Sequence, residues 1–288
     1  MKFEQIETDF SLGELKKLAS EEEFEDIKDI AIENAENLLE LESEPIKLED
    51  RRRSGASGGE YDGPNRKATV DEPSSEGGYS TEYLQSEGIF EEVFHIIGYN
   101  EAHKKRNGEI RKPQEERNFG EDIADEVIGG LARWFTAFDF ERSLKKADSD
   151  LKHITEKEPD KLTDSDYKRG YGATHHFLGY SISKAAKEDN RDAADIAAMS
   201  YEEILEEFSN ELSTAREELA NKYGVHVDLE GEYSDPEEVS EEVQNPGFYI
   251  EPEDSEVLVG LGRYPEDEAE AAWFEFRKGQ LDYLPTIE

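Results

Sequence analysis

The chain has 288 residues, no cysteine, and 73 Asp and Glu against 33 Lys and Arg, a formal charge of −40. The missing thiols exclude disulfides, thiolate chemistry and Cys-based zinc sites, and no run approaches the roughly 18 apolar residues that a membrane-spanning helix needs. Such a charge repels itself in dilute buffer, whereas at about 1 M salt a Debye length near 3 Å screens the repulsion. The composition therefore implies a halophilic protein, of an archaeon that keeps molar salt in its cytoplasm or of a virus of one.

Hydrophobic residues make up 35% of the chain. That is low for a globular protein, but they recur with helical period, which predicts a folded core with polar insertions. Residues 1–42 read as N-terminal helices. Leu12, Leu15 and Leu18 mark a short one, and Ser20 with Glu23 has the spacing of a capping box for the next. There Phe24, Ile27, Ile30, Ala31, Ala35, Leu38 and Leu39 form one apolar stripe. Residues 43–79 differ in kind. They hold RRRSGASGGEYDGPNRK and DEPSSEGGYS, rich in Gly, Ser and Pro, which predicts a flexible linker or an arm that orders on a partner.

A helical core is expected over 80–222. Its first helix, 80–106, buries Tyr83, Leu84, Phe90, Val93, Phe94 and Ile97 and closes at Gly108 and Pro113. The next, 120–137, is apolar on more than one face through Ile123, Val127, Ile128, Leu131, Trp134 and Phe135, so it should lie centrally. Another follows at 141–155. Residues 164–188 and 191–222 read as a helical pair broken at Asn190, with an acidic first turn that suits the helix dipole. A small α+β region with a docking tail is expected over 223–288. Val225 to Leu229, Phe248 to Ile250 and Val257 to Val259 are strand candidates, Gly260-Leu261-Gly262 is a turn, and 266–278 reads as a last helix carrying Trp273 and Phe276. The expected fold class is mainly α: a helical bundle core with a small α+β C-terminal part and long irregular arms.

Glu92-Val93-Phe94-His95 places a carboxylate and an imidazole on one helix face, a spacing from which di-metal sites of four-helix bundles are built. Asp150 with His153 is a looser copy. With six His in so acidic a chain, such matches arise by chance, and surface or capping roles are the expectation for these imidazoles. His175 and His176 are helix neighbours about 100° apart, which argues against their sharing one metal.

The stretch EAHKKRNGE (Glu101 to Glu109) with the helix DIADEVIGGLARWF (Asp122 to Phe135) resembles MazG-type nucleotide pyrophosphohydrolases. The resemblance implies an all-α enzyme holding Mg²⁺ through an E-x-x-E on one helix and an E-x-x-D on the next. Asp122-Ile123-Ala124-Asp125 matches the second pair. The first pair is replaced, because the acidic positions counted back from Glu101 fall on His95 and Gly98, which offer a hard cation no oxygen. The resemblance thus implies Asp122 and Asp125 as Mg²⁺ ligands with Glu92 or Glu101 completing the set, or an inactive relative.

The opening SLGELKKLASEEEFEDIKDIAIENAENLLELES, followed by an irregular stretch with EYDGP, is similar to head–tail adaptor proteins of tailed viruses. Those begin with a short and a longer helix and thread loops and tails between ring subunits, which implies a connector-region virion protein here. Arg51, Arg52 and Arg53, and the cluster Lys104, Lys105, Arg106, Arg111 and Lys112, are basic islands suited to the acidic surface of a neighbouring subunit. Tyr61, Phe248, Trp273, Tyr283 and Leu284 are apolar anchors for arms that would order at assembly.

The expectation is a non-enzymatic assembly component working in molar salt, with no cofactor; the Mg²⁺-dependent hydrolase is its rival, and catalysis stays open. Partners would be other protein subunits, in a homo-oligomer within a larger assembly. Membrane and direct nucleic-acid contact are not expected, since both are polyanions. MKFEQIETDF has no apolar h-region, so no secretory signal peptide is expected. The expected location is the virion or the cytoplasm of a high-salt host.

Overall fold

The apolar stripe near the N-terminus folds as its spacing requires: α1 (Phe24–Leu39) buries Ile27, Ala31, Ala35 and Leu39 along one face. The structure, a computed structural model, describes residues 24–51, 59–71, 81–112, 117, 119–135, 138–157, 164–223, 225–228, 247–250, 257–262, 273–277 and 280–283. The expected Leu12 helix and the Ser20–Glu23 capping box lie outside them. After α1 come β1 (Lys47–Arg51), β2 (Gly59–Asp62) and β3 (Lys67–Asp71), then α2 (Thr81–Ile97), a π-helical turn (Gly98–Ala102) and α3 (His103–Asn107). The chain continues through α4 (Phe119–Gly129), a 3₁₀ turn (Gly130–Trp134), α5 (Phe140–Thr155), α6 (Asp164–Glu188), α7 (Ala193–Ala198), α8 (Tyr201–Glu207) and α9 (Ser209–Tyr223). It ends in β4 (Val225–Asp228), β5 (Gly247–Ile250), β6 (Val257–Gly262), β7 (Trp273–Arg277) and β8 (Gln280–Tyr283). The protein is mainly α-helical, as the periodicity predicts.

Two compact units divide the chain. The first comprises Met1–Pro113, Val127–Phe140 and Ala186–Ser200; the second comprises Gln114–Glu126, Glu141–Ala185 and Tyr201–Glu288. In the first unit the core is aromatic and aliphatic: Phe90 and Phe94 of α2 pack on Phe135, and Phe90 also meets Phe138, at ring separations of 4.9–6.0 Å.

The stretch expected to be an irregular arm, 43–79, instead holds a three-stranded sheet in the order β1-β3-β2, with β1 parallel and β2 antiparallel to β3. Ala68 and Val70 alternate on β3 and are buried, while Lys67 and Thr69 face outward. Two small apolar residues are too weak a signal to outweigh the surrounding Gly and Ser, yet they are enough once a helix covers them. The β2–β3 turn is closed by Asp62, whose carboxylate accepts from Asn65 N at 3.0 Å and Asn65 Nδ2 at 2.7 Å. Gly63 in that turn lies against Tyr99; a Cβ there would sit 2.5 Å from the ring.

Other boundaries shift for local reasons. The helix expected over 120–137 ends at the Gly129-Gly130 pair and tightens into the 3₁₀ turn before Phe135 becomes extended. The helix expected over 80–106 passes through the π-helical turn, and Gly108 closes it at φ 82°. Asn190 does mark the break after α6, at φ 55°. The helix expected over 191–222 is three: Asp192 caps α7 by accepting from Ala194 N and Asp195 N, and Met199 turns extended at its end.

The C-terminal strands form an antiparallel sheet in sequential order, β4-β5-β6-β7-β8. The helix expected over 266–278 is corrected here: β7 occupies Trp273–Arg277 and pairs with β6 and β8. Its WFEF run favours a pleated strand over the helix suggested by the preceding alanines. Gly260-Leu261-Gly262, expected to be a turn, continues β6.

Candidate functional site

Four successive acidic positions of α4, Glu121, Asp122, Asp125 and Glu126, are all at most 9% exposed. Buried carboxylates are costly unless a cation and hydrogen bonds compensate them. In the second unit Arg117 does this. Its side chain is 2% exposed, its Nη1 lies 2.5 Å from Asp125 Oδ2, and its Nε lies 3.8 Å from Asp122 Oδ1. Tyr201 donates its hydroxyl to Asp125 Oδ1 at 3.0 Å, Tyr171 donates to Asp122 Oδ2, and the guanidinium also lies 5.7 Å from the Tyr201 ring centroid. The two aspartates which the MazG resemblance assigns to Mg²⁺ are thus brought together around an internal guanidinium.

One turn along α4, Glu126 meets α6. Its Oε1 lies 3.4 Å from His175 Nε2 and 3.4 Å from His176 Nε2. The adjacent imidazoles, expected to diverge, therefore converge on a single carboxylate oxygen. The 100° between neighbours separates their Cα–Cβ directions, but Glu126 lies between those directions and side-chain rotation closes the gap. Burial works against protonating His175, yet the Glu126 carboxylate, the Asp122 charge and the Tyr171 carbonyl outweigh it and raise the imidazole above its ordinary value.

The first unit carries a cleft of about 930 Å³ between α1, the β2–β3 turn and α3, lined by Glu36, Glu40, Glu42, Glu44, Arg66, Glu101, Lys104, Lys105 and Ile110. Ile110, 44% exposed, is the exposed large hydrophobic residue among those described. At the cleft floor Arg66 Nη1 pairs with Glu101 Oε1 at 2.5 Å and its Nη2 donates to Glu44 O at 2.6 Å. Burial lifts the Glu101 carboxyl above its ordinary value, against the pull of the Glu44 N–H and the Arg66 charge.

The remaining sequence-derived positions are placed as follows. Lys104 and Lys105 line the cleft, Lys105 donating to Glu40 O at 3.0 Å, and Arg106 is exposed on α3. Arg111, grouped with them as a surface basic residue, is 4% exposed. It donates to Gly98 O, Ala197 O and Met199 O, closing helix ends in the first unit rather than meeting a partner. Tyr61 is half-buried and stacks on His95 at 4.8 Å, so it serves as an internal contact. His95 and Glu92 are both buried, and a Cβ on Gly129 would sit 2.3 Å from His95 Nε2. The E-x-x-H imidazole is thus a packed core group. Glu92 and Glu101 belong to the first unit, Asp122 and Asp125 to the second. Arg51 ends β1, Phe248 lies on β5, Trp273 on β7, and Tyr283 on β8 opposite Phe274. Arg52, Arg53 and Leu284 lie outside the described residues.

Arg117, Tyr171, Tyr201 and Arg66 were not legible as site residues. Each sits in a polar stretch, and only tertiary packing gives it a partner. Among the described residues no helix is long and apolar enough to cross a membrane. No protein-family model, curated protein or solved structure matches the chain.

Proposed function

We propose that this is a non-enzymatic assembly component adapted to molar salt, most concretely a connector-region virion protein of a haloarchaeal tailed virus. One observation favours this over the MazG-type hydrolase: Arg117 already occupies the space between Asp122 and Asp125. A Mg²⁺ ion needs near-octahedral oxygen ligands, and here it would have to displace a buried guanidinium that pairs with Asp125 at 2.5 Å and lies 3.8 Å from Asp122.

The cleft of the first unit supplies the complementary part of the reading. It combines exposed Ile110 with carboxylates and the basic pair Lys104 and Lys105, a mixture suited to an extended segment from a neighbouring subunit. In brine, long-range steering is screened, so contact ion pairs and buried apolar side chains would supply the affinity.

Light scattering after gel filtration in about 2 M KCl, where screening is nearly complete, tests this. The expected result is a multi-copy oligomer, reduced to monomer by Ile110→Asp with the far-UV spectrum unchanged. A wild-type monomer, or pyrophosphate release from a nucleoside triphosphate with Mg²⁺ that Asp125→Ala abolishes, would overturn the reading.

A further inference from the structure

We propose that Glu126, His175 and His176 form a binding site for a divalent transition metal of the Zn²⁺ class, linking α4 to α6 within the second unit. The proposal is independent of assembly.

The donor atoms, one from each residue, all lie within 4.8 Å of one another. Both Glu126–imidazole separations are 3.4 Å, too long for a good hydrogen bond. They match a coordination edge: an ion about 2.1 Å from each of two ligands in tetrahedral geometry sets those ligands roughly 3.4 Å apart. A small inward rotation of the rings would complete the triangle.

The surroundings orient these ligands as metal sites require. His175 Nδ1 lies 2.8 Å from Tyr171 O. In the neutral ring that nitrogen carries the hydrogen and donates to the carbonyl, which leaves the Nε2 lone pair facing Glu126. A fixed outer hydrogen bond of this kind sets the tautomer of metal-binding imidazoles. His176 is held by stacking on Tyr180, with centroids 5.4 Å apart and planes 6° apart. Gly179, on the same face of α6, sets the approach of the two helices: a Cβ there would sit 2.3 Å from Glu126 Cβ. The glycine lets the short carboxylate reach two imidazoles.

Two nitrogens and one carboxylate oxygen make a borderline donor set, which favours Zn²⁺, Co²⁺ or Ni²⁺ over Mg²⁺. The side chains of His175 and Glu126 are 15% and 12% exposed and that of His176 is 43% exposed, so water can fill the remaining positions from the His176 side. Ligation needs both imidazoles neutral, and binding therefore releases the His175 proton where it is charged.

The test uses the full chain without an affinity tag, stripped with EDTA and kept in about 2 M KCl to screen the acidic surface. Zn²⁺ titration by calorimetry should give one tight site per chain that excess Mg²⁺ does not displace. Co²⁺ should give the intense visible absorption of a low-coordinate N/O site. Zn²⁺ should also raise the melting temperature, as any ligand of the folded state does. His176→Ala removes a half-exposed ring, so the fold should survive. It should weaken Zn²⁺ at least about tenfold, as lost metal-site interactions do, and remove the melting-temperature increase. Glu126→Gln should do the same with the shape conserved. Only weak Zn²⁺ binding that Mg²⁺ displaces, or undiminished affinity in His176→Ala, would overturn the proposal.

Discussion

The two units treat charge in opposite ways. In the first, the Arg66–Glu101 pair lies at the floor of an open cleft with each side chain 15% exposed. In the second, Arg117, Asp122 and Asp125 have side chains only 2%, 9% and 6% exposed. Salt can screen the first pair and can hardly reach the second. An acidic composition is thus two separate problems. The surface carboxylates are managed by the solvent, while the interior ones need a protein cation and tyrosine hydroxyls fixed in place.

The sharpest test of that contrast is to remove each arginine. Arg117→Met should destabilise the chain by about 3–5 kcal/mol, because it leaves buried carboxylates uncompensated. Arg66→Ala should cost less, about 1–2 kcal/mol, because its ion pair with Glu101 is partly open to the cleft. Urea unfolding at several KCl concentrations measures both, and added salt should leave the Arg117→Met loss almost unchanged. Equal losses in the two variants would break the comparison.

A smaller effect is expected at Gly179. Its alanine variant would place a Cβ 2.9 Å from the Glu126 carbonyl carbon and 3.0 Å from Ile123 O. Backbone atoms cannot easily retreat, so a loss of about 1–3 kcal/mol is expected, visible as a lower urea midpoint.

The smallest effect is a pH dependence in the first unit. Burial, reinforced by the nearby Arg111 charge, lowers the His103 value below 6.5, against the weaker pull of Met199 O, Ala198 O and Glu109. The unfolded chain binds this proton more readily than the folded one, so stability rises with pH across that window. The contribution is complete above pH 6.5 and is lost as pH falls through the folded value. His175 has the opposite sign: its value is raised, so its contribution is present below pH 6.5 and fades as pH rises through the folded value. Comparing wild type with His103→Gln by urea midpoint from pH 7.5 downward isolates the first effect; the acid-side loss should be shallower in the variant.

The helices were legible because burial imposes a repeating pattern on the residues themselves. Ile27, Ala31, Ala35 and Leu39 declare the buried face of α1, and Ile123, Val127 and Ile128 that of α4. The first sheet was hidden because its strands are four or five residues long and carry few apolar side chains. The parallel β1–β3 pairing adds a partner remote along the chain, which no local window contains. Asp122 and Asp125 stood out by spacing, but their partner did not: an arginine in a polar stretch of sequence looks like any other surface arginine until its surroundings are known.

Composition and periodicity alone thus determined the strong negative charge, the mainly helical fold and the apolar faces of the long helices, since each is a property of a residue or of its near neighbours. Tertiary structure alone decided that Arg111 faces inward, that a guanidinium joins Asp122 to Asp125, and that two adjacent imidazoles converge on Glu126. Those outcomes depend on which helix lies opposite and how closely it approaches, and a contact such as Gly179 against Glu126 sets that distance across more than fifty intervening residues.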